Sequence, residues 1–179
     1  MEVRLLPGGL FYGGNMLERE GDIWELADCG TLVVTTNPVI SYSRSHQGEV
    51  VMGRGIALQC KQRFPHFPEA LAARIRAQGN IPHDMGSWVT DSRVPWFRIL
   101  TLPTKHHWKD KADHSLIKMS LLRIATLVED LGITGPIFTP RPGCGNGGLD
   151  WRTVKPYCAQ TLSDQFVVVD YKPVQGELL

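Results

Sequence analysis

Gly135-Pro136-Ile137-Phe138-Thr139-Pro140-Arg141-Pro142-Gly143-Cys144-Gly145-Asn146-Gly147-Gly148-Leu149-Asp150-Trp151 is the stretch whose reading decides the fold. A short apolar run is followed by four glycines in six residues, and an amphipathic segment opens at Asp150. The order reads as strand, glycine loop, helix. Glycine lets backbone N–H groups turn toward a ligand with no Cβ in the way. A helix N-terminus adds partial positive charge. Such a loop suits a pyrophosphate. The spacing matches neither G-x-G-x-x-G nor a P-loop, which needs a Lys-Ser or Lys-Thr pair. A glycine-rich turn that binds nothing accounts for the same residues equally well.

A second glycine pair lies upstream, in Met52-Gly53-Arg54-Gly55-Ile56, and opens a helix in which Ile56, Cys60 and Phe64 share one face. Two glycine pairs at two helix starts can grip one extended anion from opposite sides. A third loop, Pro103-Thr104-Lys105-His106-His107-Trp108, follows the apolar strand Phe97–Leu102. A lysine at the carboxyl end of a strand stands where open α/β sheets place their chemistry. A free lysine keeps its proton to a pKa near 10.4. To act as nucleophile or base it must shed that proton through burial or a nearby cation, for which Arg141, the histidines and Lys109 are candidates. A phosphate-facing or solvated charge is the simpler local reading of Lys105. His106, His107 and His114 lack a second cluster of ligands, so no metal is expected, and surface or stacking roles suit them better.

Around these loops the chain alternates strands and helices. Strands are expected at 16–20, 31–36, 88–89, 97–102, 136–140 and 165–170, with a turn near 91–93. Helices are expected at 24–28 behind Asp22, from Gly55 to the break at Pro65, at 68–78 before Gly79, at 114–131 behind Asp113, and at 151–162 behind Asp150. Pro156 predicts a kink or late start in the last helix. Residues 39–52 form a polar loop long enough to suggest a function. The pattern predicts a three-layer α/β/α fold around a mixed, largely parallel sheet. Residues 1–15 read as an arm or hairpin, 16–170 as one domain and 171–179 as a tail.

The chain has 179 residues, 42% hydrophobic and 21% charged, with a formal net charge of +1. That composition is ordinary for one globular domain and advertises neither a nucleic-acid nor a membrane partner. Cys29, Cys60, Cys144 and Cys158 form no C-x-x-C pair. Scattered cysteines without a leader-like N-terminus suggest a reducing cytoplasm.

Gly21-Asp22-Ile23, Met52 to Gln59, Pro103 to Trp108 and Gly143 to Trp151, in that order, resemble a macrodomain. The branch is the one holding the DarG-type antitoxin macrodomains and the terminal ADP-ribose protein glycohydrolase. The resemblance spans roughly residues 16–170 and implies an ADP-ribose pocket. By that analogy Asp22 and Ile23 meet the adenine. Asn37, Met52, Gly53, Arg54, Gly55, Ile56 and Thr104 approach the distal ribose and diphosphate. Gly143, Cys144, Gly145, Asn146, Gly147, Gly148 and Leu149 wrap the pyrophosphate. Lys105 is implied as the catalytic residue, attacking the anomeric carbon of the distal ribose with no cofactor. The terminal glycohydrolase carries an aspartate in its glycine loop where this chain has Gly147, so the likeness leans toward DarG and toward thymidine-linked ADP-ribose on DNA. ADP-ribosylated protein is the other substrate implied. A DNA strand would find Arg44, Trp108, Lys109 and Lys111 beside the pocket. A reader of ADP-ribose that does not cut, and an ADP-ribose 1″-phosphate phosphatase, are the competing functions. Residues 39–51 exceed the corresponding loop of the family. A monomer is expected.

Overall fold

The computed structural model describes residues 15–28, 30–89 and 96–171, with only the backbone described at Trp96. The arm expected at 1–15, the tail at 171–179 and the turn near 91–93 lie outside the described residues, except for Asn15 and Tyr171. The elements are β1 (Leu17–Gly21), α1 (Ile23–Ala27), β2 (Thr31–Thr36), α2 (Gly55–Arg63), α3 (Phe67–Gln78), β3 (Asp84–Val89), β4 (Trp96–Pro103), α4 (His114–Asp130), β5 (Ile137–Pro140), α5 (Trp151–Thr161) and β6 (Phe166–Tyr171).

The strands form one six-stranded sheet in the order β1-β6-β5-β2-β4-β3. Every pairing is parallel except β3 with β4. Strand side chains alternate between faces, and here the two faces feed two separate cores. Leu32, Val34, Phe97, Ile99, Val167 and Val169 join a cluster with Trp24 of α1, Cys60 of α2 and Phe67 and Leu71 of α3. Val33, Leu100, Leu102, Phe166 and Val168 join another with Ile117, Leu121, Ile124 and Val128 of α4 and Val154 and Cys158 of α5. Helices thus cover both faces, the three-layer α/β/α arrangement that the alternation implies.

Local signals set most boundaries. Asp22, Asp113 and Asp150 each cap a helix by accepting a backbone N–H from Trp24, Leu116 and Arg152, at 2.7, 2.7 and 2.9 Å. Gly132 follows α4 with φ +59°, the left-handed geometry that ends a helix. α5 begins at Trp151, as expected, and runs through Pro156 with no late start. One boundary differs from the sequence expectation. β3 starts at Asp84, four residues earlier than its apolar pair Trp88-Val89 suggests. Pairing with β4, broken by a register shift between Asp84 and Ser87, recruits Met85, Gly86 and Ser87 into an edge strand.

β2 and β5 lie side by side, yet their chains depart to opposite faces. The chain after β2 enters α2 and α3 on one face, and the chain after β5 enters α5 on the other. Such a switch point opens a crevice beyond the carboxyl ends of the strands.

Candidate functional site

A cleft of about 850 Å³ occupies that crevice. Its floor is Thr35 and Thr36 of β2, Pro140 of β5 and Val169 of β6. The loops after β2, β4 and β5 form its walls.

The wall after β5 is the glycine loop. It closes on itself through Cys144 N–H to Arg141 O at 3.2 Å, Gly148 N–H to Gly145 O at 3.0 Å and Leu149 N–H to Gly143 O at 3.0 Å. Ala112 N–H donates to Gly147 O at 2.9 Å and ties the loop to the start of α4. Among the described residues no group accepts from the N–H of Gly145, Asn146 or Gly147, and all three residues line the cleft. Those are the donors a pyrophosphate needs. Gly147 is obligatory for a steric reason. A Cβ there would sit 2.3 Å from Gly143 O and 2.8 Å from Ala112 Cβ. Any side chain at this position, an aspartate included, requires the loop to shift.

The opposite wall is the start of α2. Gly55 faces the glycine loop so closely that a Cβ on it would lie 3.1 Å from Asn146 Nδ2. The N-cap residue Arg54 makes no side-chain capping bond. The first-turn N–H groups of Gly55, Ile56 and Ala57 are therefore left to the cleft. α5 differs. Asp150 caps it, and Arg152 wraps the same carboxylate at 2.6–3.2 Å. Of the two helix starts the sequence points to, the one left uncapped for an anion is that of α2.

The third wall follows β4. Thr104 is buried, and its N–H donates to Thr36 O at 3.1 Å. Lys105 Nζ donates to Asn146 O at 2.9 Å and to Trp108 O at 3.4 Å. The amine thus bridges its own loop to the rim of the glycine loop. Trp108 is 45% exposed at the mouth. His107 stacks on its ring at 5.7 Å, and Lys109 Nζ lies 5.0 Å from the ring centroid. His107 Nδ1 accepts from Lys109 N–H, and His106 lies 3.8 Å from Asp113. Among the described residues no group of three His, Cys, Asp or Glu could hold a metal ion.

At the β6 end the cleft is closed by charge. Arg141 reaches Asp170 at 3.0 Å and Glu18 at 3.8 Å, with its guanidinium 5.2 Å from the centroid of the Trp151 ring. Its Nε is buried without a partner among the described residues. Arg141 is therefore paired with carboxylates of β6 and β1. Lys155 hydrogen-bonds to Glu18 and holds its carboxyl below the usual range, against the opposing effect of burial, with help from Trp151 Nε1 and Arg141. Burial pushes the Cys144 thiol up to about 11, so this cysteine on the cleft wall is not a thiolate.

Of the residues singled out in the sequence, the cleft gathers Ile23, Asn37, Gly53, Arg54, Gly55, Ile56, Thr104 and Lys105, then Trp108 and Lys109, and the glycine loop except Gly148. Asn37 lines the cleft, but its amide is engaged elsewhere. Nδ2 donates to Val51 O at 2.8 Å, and Oδ1 accepts from Val39 N–H at 3.0 Å. Asn37 thereby ties both ends of the 39–51 loop, which is further closed by the Ile40–Val50 bridge. Asp22, Met52, Gly148, Arg44 and Lys111 do not line the cleft. Asp22 is the α1 cap, and Met52 is 3% exposed in the core. Gly148 closes the turn at φ +71° with Lys111 on its outer side, and Arg44 is exposed in the 39–51 loop. Sequence reasoning gave no site role to Gln59 and Trp151, which end two of the quoted motifs, and missed Val169 and Asp170. The last strand's carboxyl end was the available signal for Val169 and Asp170.

The family model of the Macro domain matches residues 45–158. The chain belongs to the macrodomain family. Among curated proteins this macrodomain is 32% identical over 106 residues to a "DNA ADP-ribosyl glycohydrolase" of Mycobacterium tuberculosis, covering 59% of this chain and 30% of that protein. It is 30% identical over 172 residues to the protein of the same name from Thermus aquaticus, covering 93% and 41%. It thus spans well under half the length of these relatives. Among solved structures it resembles the macrodomain of Mycobacterium tuberculosis DarG (29% identity, TM-score 0.64, 90% of this chain and all of that one). The macrodomain of Thermus aquaticus DarG is similar at 27% identity and TM-score 0.63, again over 90% of this chain and all of that one. Among the described residues no helix is long and apolar enough to cross a membrane.

Proposed function

We propose that this macrodomain is an ADP-ribosyl glycohydrolase that releases ADP-ribose from a macromolecule, with Lys105 as the reacting group and thymidine-linked ADP-ribose on DNA as substrate. The observation that carries the reading is the Lys105 amine, held 2.9 Å from Asn146 O on the rim of a loop whose N–H groups suit a diphosphate. A ligand whose phosphates occupy the glycine loop brings its distal sugar to this amine. The relatives' name, DNA ADP-ribosyl glycohydrolase, supports both the reaction and the substrate.

The amine gives up its carbonyl partners, sheds a proton and attacks the anomeric carbon of the distal ribose. A carbon–Nζ bond forms as the carbon–base bond breaks, and the departing base nitrogen takes the electron pair and then a proton. Water cleaves the carbon–Nζ bond, which frees ADP-ribose and regenerates the lysine. One difficult displacement becomes two easier ones. With glycine at position 147, the lysine works without an acid from that position. Trp108 and Lys109 at the mouth favour a nucleic acid over a folded protein, since an exposed ring adds about 1–3 kcal/mol of base stacking.

The test is to incubate the protein with ADP-ribosylated single-stranded DNA and, separately, with glutamate-modified protein. Label should leave the DNA. Lys105→Ala should keep its affinity for free ADP-ribose and lose turnover. Full activity of Lys105→Ala refutes the mechanism, and label lost only from the protein refutes the substrate. Binding without release from either makes the chain a reader.

A further inference from the structure

β3 is antiparallel to β4, so the segment entering β3 runs beside the segment leaving β4. Thr101 N–H donates to His83 O at 2.9 Å, and His83 N–H donates to Thr101 Oγ1 at 2.9 Å. The buried His83 ring then holds the turn before it. Nε2 lies 3.0 Å from Gly79 O and Nδ1 3.1 Å from Gln78 Oε1. Gly79 turns the chain out of α3 at φ +86°. Residues 79–83 thus form a bracket fixed to β4 at one end and to α3 at the other.

Asn80 projects from this bracket, and its Nδ2 donates to the backbone carbonyl of Lys105 at 3.3 Å. That carbonyl fixes which way round the amide stands, because the reverse would set oxygen against oxygen. The same orientation leaves Asn80 Oδ1 buried without a partner among the described residues. An unpaired buried acceptor is costly and calls for an explanation. The residue before it is already pinned at both backbone groups: Thr104 N–H donates to Thr36 O, and Thr104 O accepts from Asp113 N–H at 2.9 Å. Asn80 supplies the missing restraint on the far side of Lys105.

We propose that Asn80 is a positioning residue for Lys105, bracing its peptide so that the amine stays at the rim of the glycine loop. The proposal rests on the reading of Lys105 as the reacting group. Asn80 does not line the cleft and acts only through the lysine backbone. A displacement near 1 Å of a reacting group costs on the order of 100-fold in rate. Asn80→Ala should therefore lower kcat roughly 10- to 100-fold on a single-stranded oligonucleotide carrying ADP-ribose on thymine. KM for that oligonucleotide and Kd for free ADP-ribose should stay near wild type. Asn80→Asp keeps the shape but loses the donor, and should fall as far.

Lys105→Ala is assayed in parallel. Wild-type kcat in Asn80→Ala, or full rescue by Asn80→Asp, overturns the brace while leaving the lysine reading intact. A parallel loss of ADP-ribose affinity also overturns it, because Asn80 would then support the whole cleft. Turnover by Lys105→Ala brings down both readings.

Discussion

Gly147→Ala is the most demanding test of the cleft geometry. The added Cβ would meet Gly143 O at 2.3 Å, Gly143 C at 2.7 Å and Ala112 Cβ at 2.8 Å. Two of those atoms are backbone, so no side-chain rotation relieves the clash. The loop must open by about 1 Å to reach ordinary contact, breaking the Leu149-to-Gly143 bond or the Ala112-to-Gly147 bond, or both. Overpacking of this kind costs about 1–3 kcal/mol. For a domain of this size that is about 2–12 °C in Tm, at roughly 2–4 °C per kcal/mol. The three N–H groups move with the loop, and ADP-ribose affinity should fall roughly 10- to 100-fold. Gly145→Ala is the control. A Cβ at Gly145 faces open space, so Tm should stay within about 1 °C of wild type. Calorimetry reads both quantities, as Tm by scanning and Kd by titration. A Gly147→Ala protein with wild-type Tm and ADP-ribose affinity would refute the steric reasoning and the assignment of this loop to the phosphates.

Three further outcomes follow from side chains around the cleft. Asn37→Ala frees both ends of the 39–51 loop, should cost about 1–3 kcal/mol, and should speed proteolytic cleavage within that loop; an unchanged cleavage rate sinks the tether. Cys144 should resist iodoacetamide near neutral pH and react only as pH approaches about 11, while Cys144→Ser stays active; rapid labelling at pH 7 would contradict its burial. The folded carboxyl of Glu18 is depressed below its unfolded value of about 4.3, so its ion pairs stabilise the fold above that pH and lose their effect as pH falls through the folded value. Glu18→Gln should lower Tm by about 1–4 °C at pH 7, a figure already reduced for solvent screening; the gap to wild type should shrink as pH falls below the unfolded value and through the lower folded one, and a pH-independent gap would remove this linkage.

The periodicity of Leu32-Val33-Val34 and Phe166 to Val169 announces strands buried on both faces, and the structure divides those residues between two cores accordingly. Asp22, Asp113 and Asp150 announce helix starts, and all three cap. These features depend on residues within a few positions of one another, which is why one chain suffices to read them. The four motifs also suffice for the macrodomain resemblance, because each is a local run. Asn37, Arg141 and Asn80 are different. Each is an ordinary polar residue in a loop or turn, and its role lies in a partner 14, 29 or 25 positions away.

The sequence by itself determined the elements, the glycine loops and the lysine loop, since hydrophobic period, capping chemistry and glycine content act over short range. Only the tertiary structure decided how these parts meet. The order β1-β6-β5-β2-β4-β3 is not the chain order. It carries Arg141 to Asp170, leaves α2 rather than α5 as the uncapped helix end at the cleft, and sets the turn before β3 against the lysine loop. Such choices are made by strand order and register across the whole sheet, to which no short window of residues has access.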